Sequence, residues 1–255
     1  MTTVESPDAS RGAGGPGELL RTWRAKRRVS QLDLATQAEV STRHLSYVET
    51  GRSTPSRELL LHLARHLDVP HREQNDLLLA AGYAPAYTQF DLDDPAMQPV
   101  VAALTTMLAA SEPNPTLVMD RHWNLVLANE SALAWTAGVD PVLLEPPINV
   151  LRLTLGLRDR IVNLDEVGAH LVHRLRRQFA VSGDPELADL VTECAAQLGQ
   201  IDVHPIGGAI ALPVKMRQPD GSVRTYLSVI ATFGSALDVT ASELTIESFY
   251  DVTPS

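Results

Sequence analysis

The sequence predicts a mixed fold, α plus α/β, in two parts: an all-helical N-terminal domain of five helices, and a C-terminal α+β domain on a five-stranded antiparallel sheet. Three observations lead there. Residues 17–82 hold five short runs with apolar residues at helical spacing. Period-two alternation, the mark of strands, begins at 116 and returns between 210 and 250. A stretch at 83–94, with Pro85 and the acids Asp91, Asp93 and Asp94, separates the two patterns as a linker. At 255 residues the chain has the length of two ordinary domains.

Residues 1–16 lack an apolar period and read as a disordered tail. The first helix, about 17–28, carries Leu20 and Trp23 with the stems of Arg24 and Arg27. Two helices follow within 30–51, with Ser30 and Ser41 placed to cap them. Leu34, Ala35 and Ala38 form one apolar face, Leu45 and Val48 the other. The fourth helix starts at Ser56 and sets Leu60, Leu63, Ala64 and Leu67 at i, i+3, i+4 and i+7. The fifth starts near Pro70 and ends at Gly82, a suitable residue for a left-handed helix end.

The second domain, 95–255, opens with Asp94-Pro95 as N-cap and first helical residue. Met97, Val100, Val101, Leu104, Met107 and Leu108 make a stripe, read together with the exposed parts of the C-terminal domain as the dimer surfaces. Residues 116–128 predict two strands turning at Arg121-His122, after which Asn129 caps a helix with Ala132, Leu133 and Trp135. Longer helices start at Asp165 and at Asp184-Pro185. Ile210, Leu212, Val214 and Met216 alternate as a third strand, and Pro219-Asp220-Gly221 turns it into a fourth over 222–233. A fifth strand, about 243–250, alternates Leu244, Ile246, Ser248 and Tyr250.

Two short amphipathic helices joined by a tight turn are the layout of a helix-turn-helix, whose second helix enters the DNA major groove. Arg43 can fork onto guanine O6 and N7, and Tyr47 lies one turn further on the same face. The other reading of these two residues is a solvated i,i+4 pair. The motif Ser30-Gln31-x-x-Leu34-Ala35, then Val40-Ser41, then Glu49-x-Gly51-Arg52-x-x-Pro55-Ser56 resembles the Cro/cI-type, or XRE-type, domain of bacterial repressors, over about 17–82. The resemblance implies that Gln31 bonds a DNA phosphate. It implies that Thr42, Arg43 and Tyr47, with Ser46 beside them, read bases, and that Ser41, Thr50, Gly51 and Arg52 contact the backbone. Glu39 stands where the turn often has Gly, so either a non-Gly residue adopts left-handed geometry there or the turn differs.

The phrase 119–129, strand–strand–helix at the start and a three-strand meander at the end resemble a PAS-like sensor. Together with 41–52, 78–85 and 149–155, the chain resembles the MmyB-like transcription regulators over about 17–252. That resemblance implies a ligand pocket, and fatty-acid-like ligands are associated with the family. Trp123, Asn149 and Arg152 are the candidate ligand-binding residues. Arg152 sits in an apolar context and pairs either with a ligand carboxylate or with a structural one.

The net charge of −10 is unevenly spread: residues 1–82 hold 11 Lys/Arg against 10 Asp/Glu, and 83–255 hold 10 against 21. The cluster Arg21, Arg24, Lys26, Arg27 and Arg28 reads either as a DNA-backbone contact or as a solvated face, and the acidic remainder should face away from DNA. A single cysteine excludes an internal disulfide and a cysteine-based zinc cluster. Cys194 reads as a buried structural thiol rather than a redox switch. His62 and His66 read as surface histidines rather than a metal pair. His170 and His173 with Arg174, Arg176 and Arg177 read as a polar helix face or an anionic head-group site. No dinucleotide, phosphate-loop, Gly-x-Ser-x-Gly or HExxH motif occurs.

The reading is therefore a cytoplasmic, homodimeric regulator, not an enzyme, without metal or cofactor and away from membranes. Its partners are a double-stranded DNA operator and a small apolar ligand, an acyl chain. The alternatives are a constitutive regulator whose C-terminal domain only dimerises, and a DNA-tethered lipid or metabolite enzyme.

Overall fold

A computed structural model of the chain describes residues 14–199, 211–234 and 236–254. These fall into two compact units that part between Gln89 and Phe90. The first holds α1 (Pro16–Lys26), α2 (Gln31–Gln37), α3 (Thr42–Glu49), α4 (Arg57–His66) and α5 (His71–Ala80). Ser30, Ser41 and Ser56 cap α2, α3 and α4, each side chain accepting from the backbone N–H three residues on. Leu20, Trp23, Leu34, Ala35, Leu45, Val48, Leu63 and Leu67 fill one core.

Two helix ends show why the turns sit where they do. At α5, Gly82 has φ +79° and Tyr83 N–H bonds Leu78 O, closing the helix in a Schellman arrangement. The same bonds end α2, Glu39 to Thr36 and Val40 to Ala35, but with Glu39 at φ +53° in the glycine position. The turn of the helix-turn-helix thus keeps its left-handed geometry with a Cβ present. Gly17 meets the opposite demand. A Cβ there would overlap Val48 O and lie 3.0 Å from Glu49 Cα, so α1 approaches the end of α3 only because residue 17 is Gly.

The expected linker is held at its N-terminal end. Asn75 Oδ1 accepts from Ala86 and Tyr87 N–H, and the Tyr87 ring stacks on His71 at 3.8 Å, so the helical unit runs to Gln89 rather than to 82.

In the second unit, Asp94 caps a 3₁₀ turn, Pro95–Met97, that runs into α6 (Gln98–Ala110). Then come β1 (Thr116–Met119), β2 (Leu125–Ala128), α7 (Glu130–Leu133), α8 (Val150–Gly156), α9 (Leu164–Ser182), α10 (Pro185–Leu198), β3 (Val214–Arg217), β4 (Val223–Thr232), α11 (Val239–Glu243) and β5 (Thr245–Asp251). The strands form one antiparallel sheet in the order β2-β1-β5-β4-β3.

Three expectations are corrected. The third strand starts at Val214, after Pro213, which has no N–H to give a ladder; Ile210 lies outside the described residues. The fifth starts at Thr245, because Asp238 caps α11 across 239–243. Tyr250, the last residue of the expected alternation, is 43% exposed.

Helices pack on part of each face of the sheet, while Val229 and Ile230 of β4 are exposed. Leu104 and Leu108 of α6 pack on Val118 and Ile246 of one face, so this part of the Met97–Leu108 stripe is used inside the unit, while Met107 is 38% exposed. Met119, Tyr226, Met216 and Phe249 point the other way, toward α8, α9 and α10.

Two substitutions should move stability in opposite directions. Glu39→Gly relieves a left-handed L-residue and should stabilise the helical unit by up to about 1 kcal/mol. Gly17→Ala should cost roughly 1–3 kcal/mol by forcing α1 off α3. Urea denaturation followed by circular dichroism measures both, and a stabilising Gly17→Ala would show that the helices have room to part.

Candidate functional site

On α3 the buried residues are Leu45, Val48 and Glu49, while Thr42, Arg43 and His44 are exposed and Ser46 and Tyr47 half-buried. Arg43 Nε donates to Tyr47 Oη at 3.0 Å, and its guanidinium lies 5.3 Å from the Tyr47 ring centre. The two side chains are therefore pre-aligned one turn apart on the outer face. Ser41, Thr50, Gly51 and Arg52 are exposed at the two ends of α3, with Gly51 at φ +71°.

What fixes this helix is an acid. The Glu49 side chain is 1% exposed, receives Arg24 Nε at 2.6 Å and Nη2 at 2.8 Å, and receives Gln31 Nε2 at 2.7 Å. Arg24 Nη1 also donates to Val29 O. One carboxylate thereby joins α1, the start of α2 and the end of α3. Burial alone pushes the Glu49 carboxyl up, but hydrogen bonds from Arg24 and Gln31 and the charges of Arg24 and Arg21 hold it below the ordinary range.

Much of the basic cluster on α1 also serves the fold. Arg27 donates to Leu67 O and Asp68 O, and Lys26 and Arg27 lie over the Trp23 ring. Arg21 and Arg28 remain exposed.

The second unit encloses an apolar cavity of about 100 Å³ between the sheet and helices α8 and α9. Its walls include Leu117, Trp123, Trp135, Leu171, Phe249 and the acid Glu247. Trp123 has φ +66°, a strained value for a bulky residue that costs on the order of 1–3 kcal/mol. The surroundings enforce it. Trp123 Nε1 donates to Gln178 Oε1 at 2.8 Å, Gln178 Nε2 donates to Arg121 O at 2.6 Å, and the Arg174 guanidinium sits 4.4 Å from the ring centre. Arg174 Nη1 reaches Glu247 Oε2 at 3.1 Å.

Of the three expected ligand residues, only Trp123 lines the cavity. Asn149 is a buried cap: its Oδ1 accepts from Leu151 and Arg152 N–H and its Nδ2 donates to His122 O. Arg152 points away and forms a bidentate pair with Glu193 of α10 at 2.9 and 2.7 Å, the structural alternative. The arginine near the cavity is Arg174, and its carboxylate partner is Glu247. Neither was singled out for this corner from sequence. The available signal was an acid in the centre of an apolar strand, Thr245-Ile246-Glu247-Ser248-Phe249.

The remaining candidates lie outside the cavity wall. Cys194 is buried, and burial pushes its thiol up to about 11. His62 bonds Ala38 O at 2.9 Å and meets His66 edge-on. His170, His173, Arg176 and Arg177 are exposed. Among the described residues no cluster of three or more His, Cys, Asp or Glu could hold a metal, and no helix is long and apolar enough to cross a membrane.

The two units define a class: a regulator that joins a helix-turn-helix DNA-binding domain to a ligand-binding domain. Residues 17–77 match the helix-turn-helix domain family, and residues 100–255 match the MmyB-like transcription regulator ligand binding domain. The chain belongs to the MmyB-like transcription regulators. A comparison with curated proteins gave no match.

The depressed Glu49 carboxyl sets a pH dependence. Its folded value lies below its unfolded value, so its contribution is complete above about pH 4.3 and is lost as pH falls through the folded value. The helical unit should therefore weaken on that acid limb. Urea titrations at stepped pH should show a flatter limb in Glu49→Gln; an equally steep one would assign the acid loss to other carboxylates.

Proposed function

We propose that this chain is a sequence-specific regulator that works as a homodimer in the cytoplasm, on the DNA it controls. Thr42, Arg43, Ser46 and Tyr47 read base edges. Gln31, Ser41, Thr50, Gly51 and Arg52 hold the sugar-phosphate backbone. The observation that carries this reading is the outward Arg43–Tyr47 pair on a helix whose inner face is locked by Glu49. Gln31 fits the phosphate role because its amide has two donors: one is fixed on Glu49, which aims the other. Two copies would reach half-sites about 34–36 Å apart, or a multiple of that.

We further read the C-terminal unit as PAS-like, on the strand order β2-β1-β5-β4-β3 and the cavity beside the sheet. Its ligand is a small apolar molecule with an acyl chain, sensed rather than turned over. The apolar walls suit binding. The volume of about 100 Å³ is well under the roughly 300–1,000 Å³ of common ligand pockets, so binding must push the walls apart. That same small volume favours the second reading, a constitutive regulator whose C-terminal unit only dimerises.

Arg43→Ala should lose roughly 1–3 kcal/mol on the operator, the worth of one good bidentate contact. Binding to unrelated DNA should barely change. Anisotropy titrations on both DNAs measure this, and equal losses would make Arg43 a backbone contact.

Straight-chain ligands should gain on the order of 0.8 kcal/mol per CH₂ until the walls yield no further, then weaken abruptly. Calorimetry across a chain-length series measures that limit. No binding at any length would establish the constitutive reading instead.

A further inference from the structure

We propose that the cavity takes an apolar molecule ending in a neutral hydrogen-bond donor, a hydroxyl or an amide, and that Glu247 reads that end. This rests on the sensing role proposed above and names the chemistry of its ligand.

Glu247 is the one charged residue in the cavity's described wall. It sits in mid-strand, paired with Leu117 of β1 on one side and Ile230 of β4 on the other, so its backbone has no freedom to swing away. Its side chain is 10% exposed, and Arg174 meets Oε2 at 3.1 Å. Arg174 is not part of the wall; it lies against the Trp123 ring, which is. The cavity therefore presents an acceptor, with the compensating cation behind it.

Three kinds of head group meet this corner differently. A carboxylate would bring a second negative charge beside Glu247 in an apolar, poorly screened space, with Arg174 already engaged. An ammonium would add a third charge to a pair that is already neutral, and would lose its own hydration. A hydroxyl or amide donates a charge-assisted hydrogen bond to Glu247 and brings no charge to desolvate. An acid held by Arg152 is a different arrangement, and Arg152 is engaged with Glu193 outside the wall.

The test is calorimetry on the full chain at neutral pH with 1-hexanol, hexanamide, hexanoic acid and hexylamine. The alcohol and the amide should bind, with the acid and the amine at least about tenfold weaker, the acid through like-charge juxtaposition with Glu247 and the amine through the hydration it loses. In Glu247→Gln the acid should gain on the alcohol, because Arg174 is released. In Arg174→Gln the acid should fall further behind. Tightest binding by the acid or the amine overturns the proposal and leaves apolar sensing intact. The same ranking in both variants, each shown folded by circular dichroism, removes Glu247 as the reader and overturns it too. If neither variant folds, the ranking on the unaltered chain decides alone. Failure of all four compounds to bind overturns the sensing role itself, and this proposal with it.

Discussion

The placement of the DNA-reading helix depends on one buried carboxylate. Glu49 stands where α1, α2 and α3 meet, and three hydrogen bonds from Arg24 and Gln31 replace the water it has lost. An ionised carboxylate in such a place is costly unless paired and bonded, and removing one partner of such a pair typically costs about 3–5 kcal/mol. The consequence is geometric as well as energetic. Arg24 is fixed on α1 and Gln31 on the first turn of α2, so the acid sets the angle at which α3 leaves the turn. Gly17 permits the close approach this demands, and Glu39 accepts left-handed backbone to close the turn. The outer residues of α3 make none of these contacts and stay on the outward face of the helix.

The second unit solves a different problem. Its sheet carries apolar residues on both faces, and α6 packs on part of one and the helices α8 to α10 on part of the other. The second covering is incomplete, and the gap is the cavity. Trp123 forms part of its wall in a backbone conformation that its neighbours must enforce. That makes the corner of Trp123, Arg174, Gln178 and Glu247 a place where strain and an ion pair share one boundary. A ligand that moves this wall acts on groups bonded to α9 and to the β1–β2 turn. In this way a small volume change can become a change of shape.

What could be read from sequence was whatever is local. The caps Ser30, Ser41, Ser56 and Asp94, the helical end at Gly82 and the turn at Asp220-Gly221 are set by neighbours a few residues away, and so are the apolar periods of the five N-terminal helices. The roles of the charged residues were not local. Arg24 finds Glu49 across 25 residues and Arg27 finds Asp68 across 41, so a cluster that looked free to meet phosphate is partly structural. Arg152 was misleading because its apolar sequence neighbours lie on the other face of α8: adjacent residues in a helix point apart. Glu247 was passed over because alternation along β5 suggests one wet face, whereas Ile246 and Glu247 are both buried. Part of the Met97–Leu108 stripe, read as a dimer surface, likewise covers the sheet.

A regulator that senses a ligand must link occupancy of the cavity to occupancy of DNA. The direct measurement is the dissociation constant for an operator selected from random DNA, taken by anisotropy with and without a saturating amount of the tightest-binding straight-chain alcohol. Linkage predicts a shift of roughly 5–150-fold, with the alcohol's own affinity changing by the same factor when DNA is present. An alcohol that binds the cavity while the operator constant stays the same would contradict the claim and leave a protein whose two units work independently.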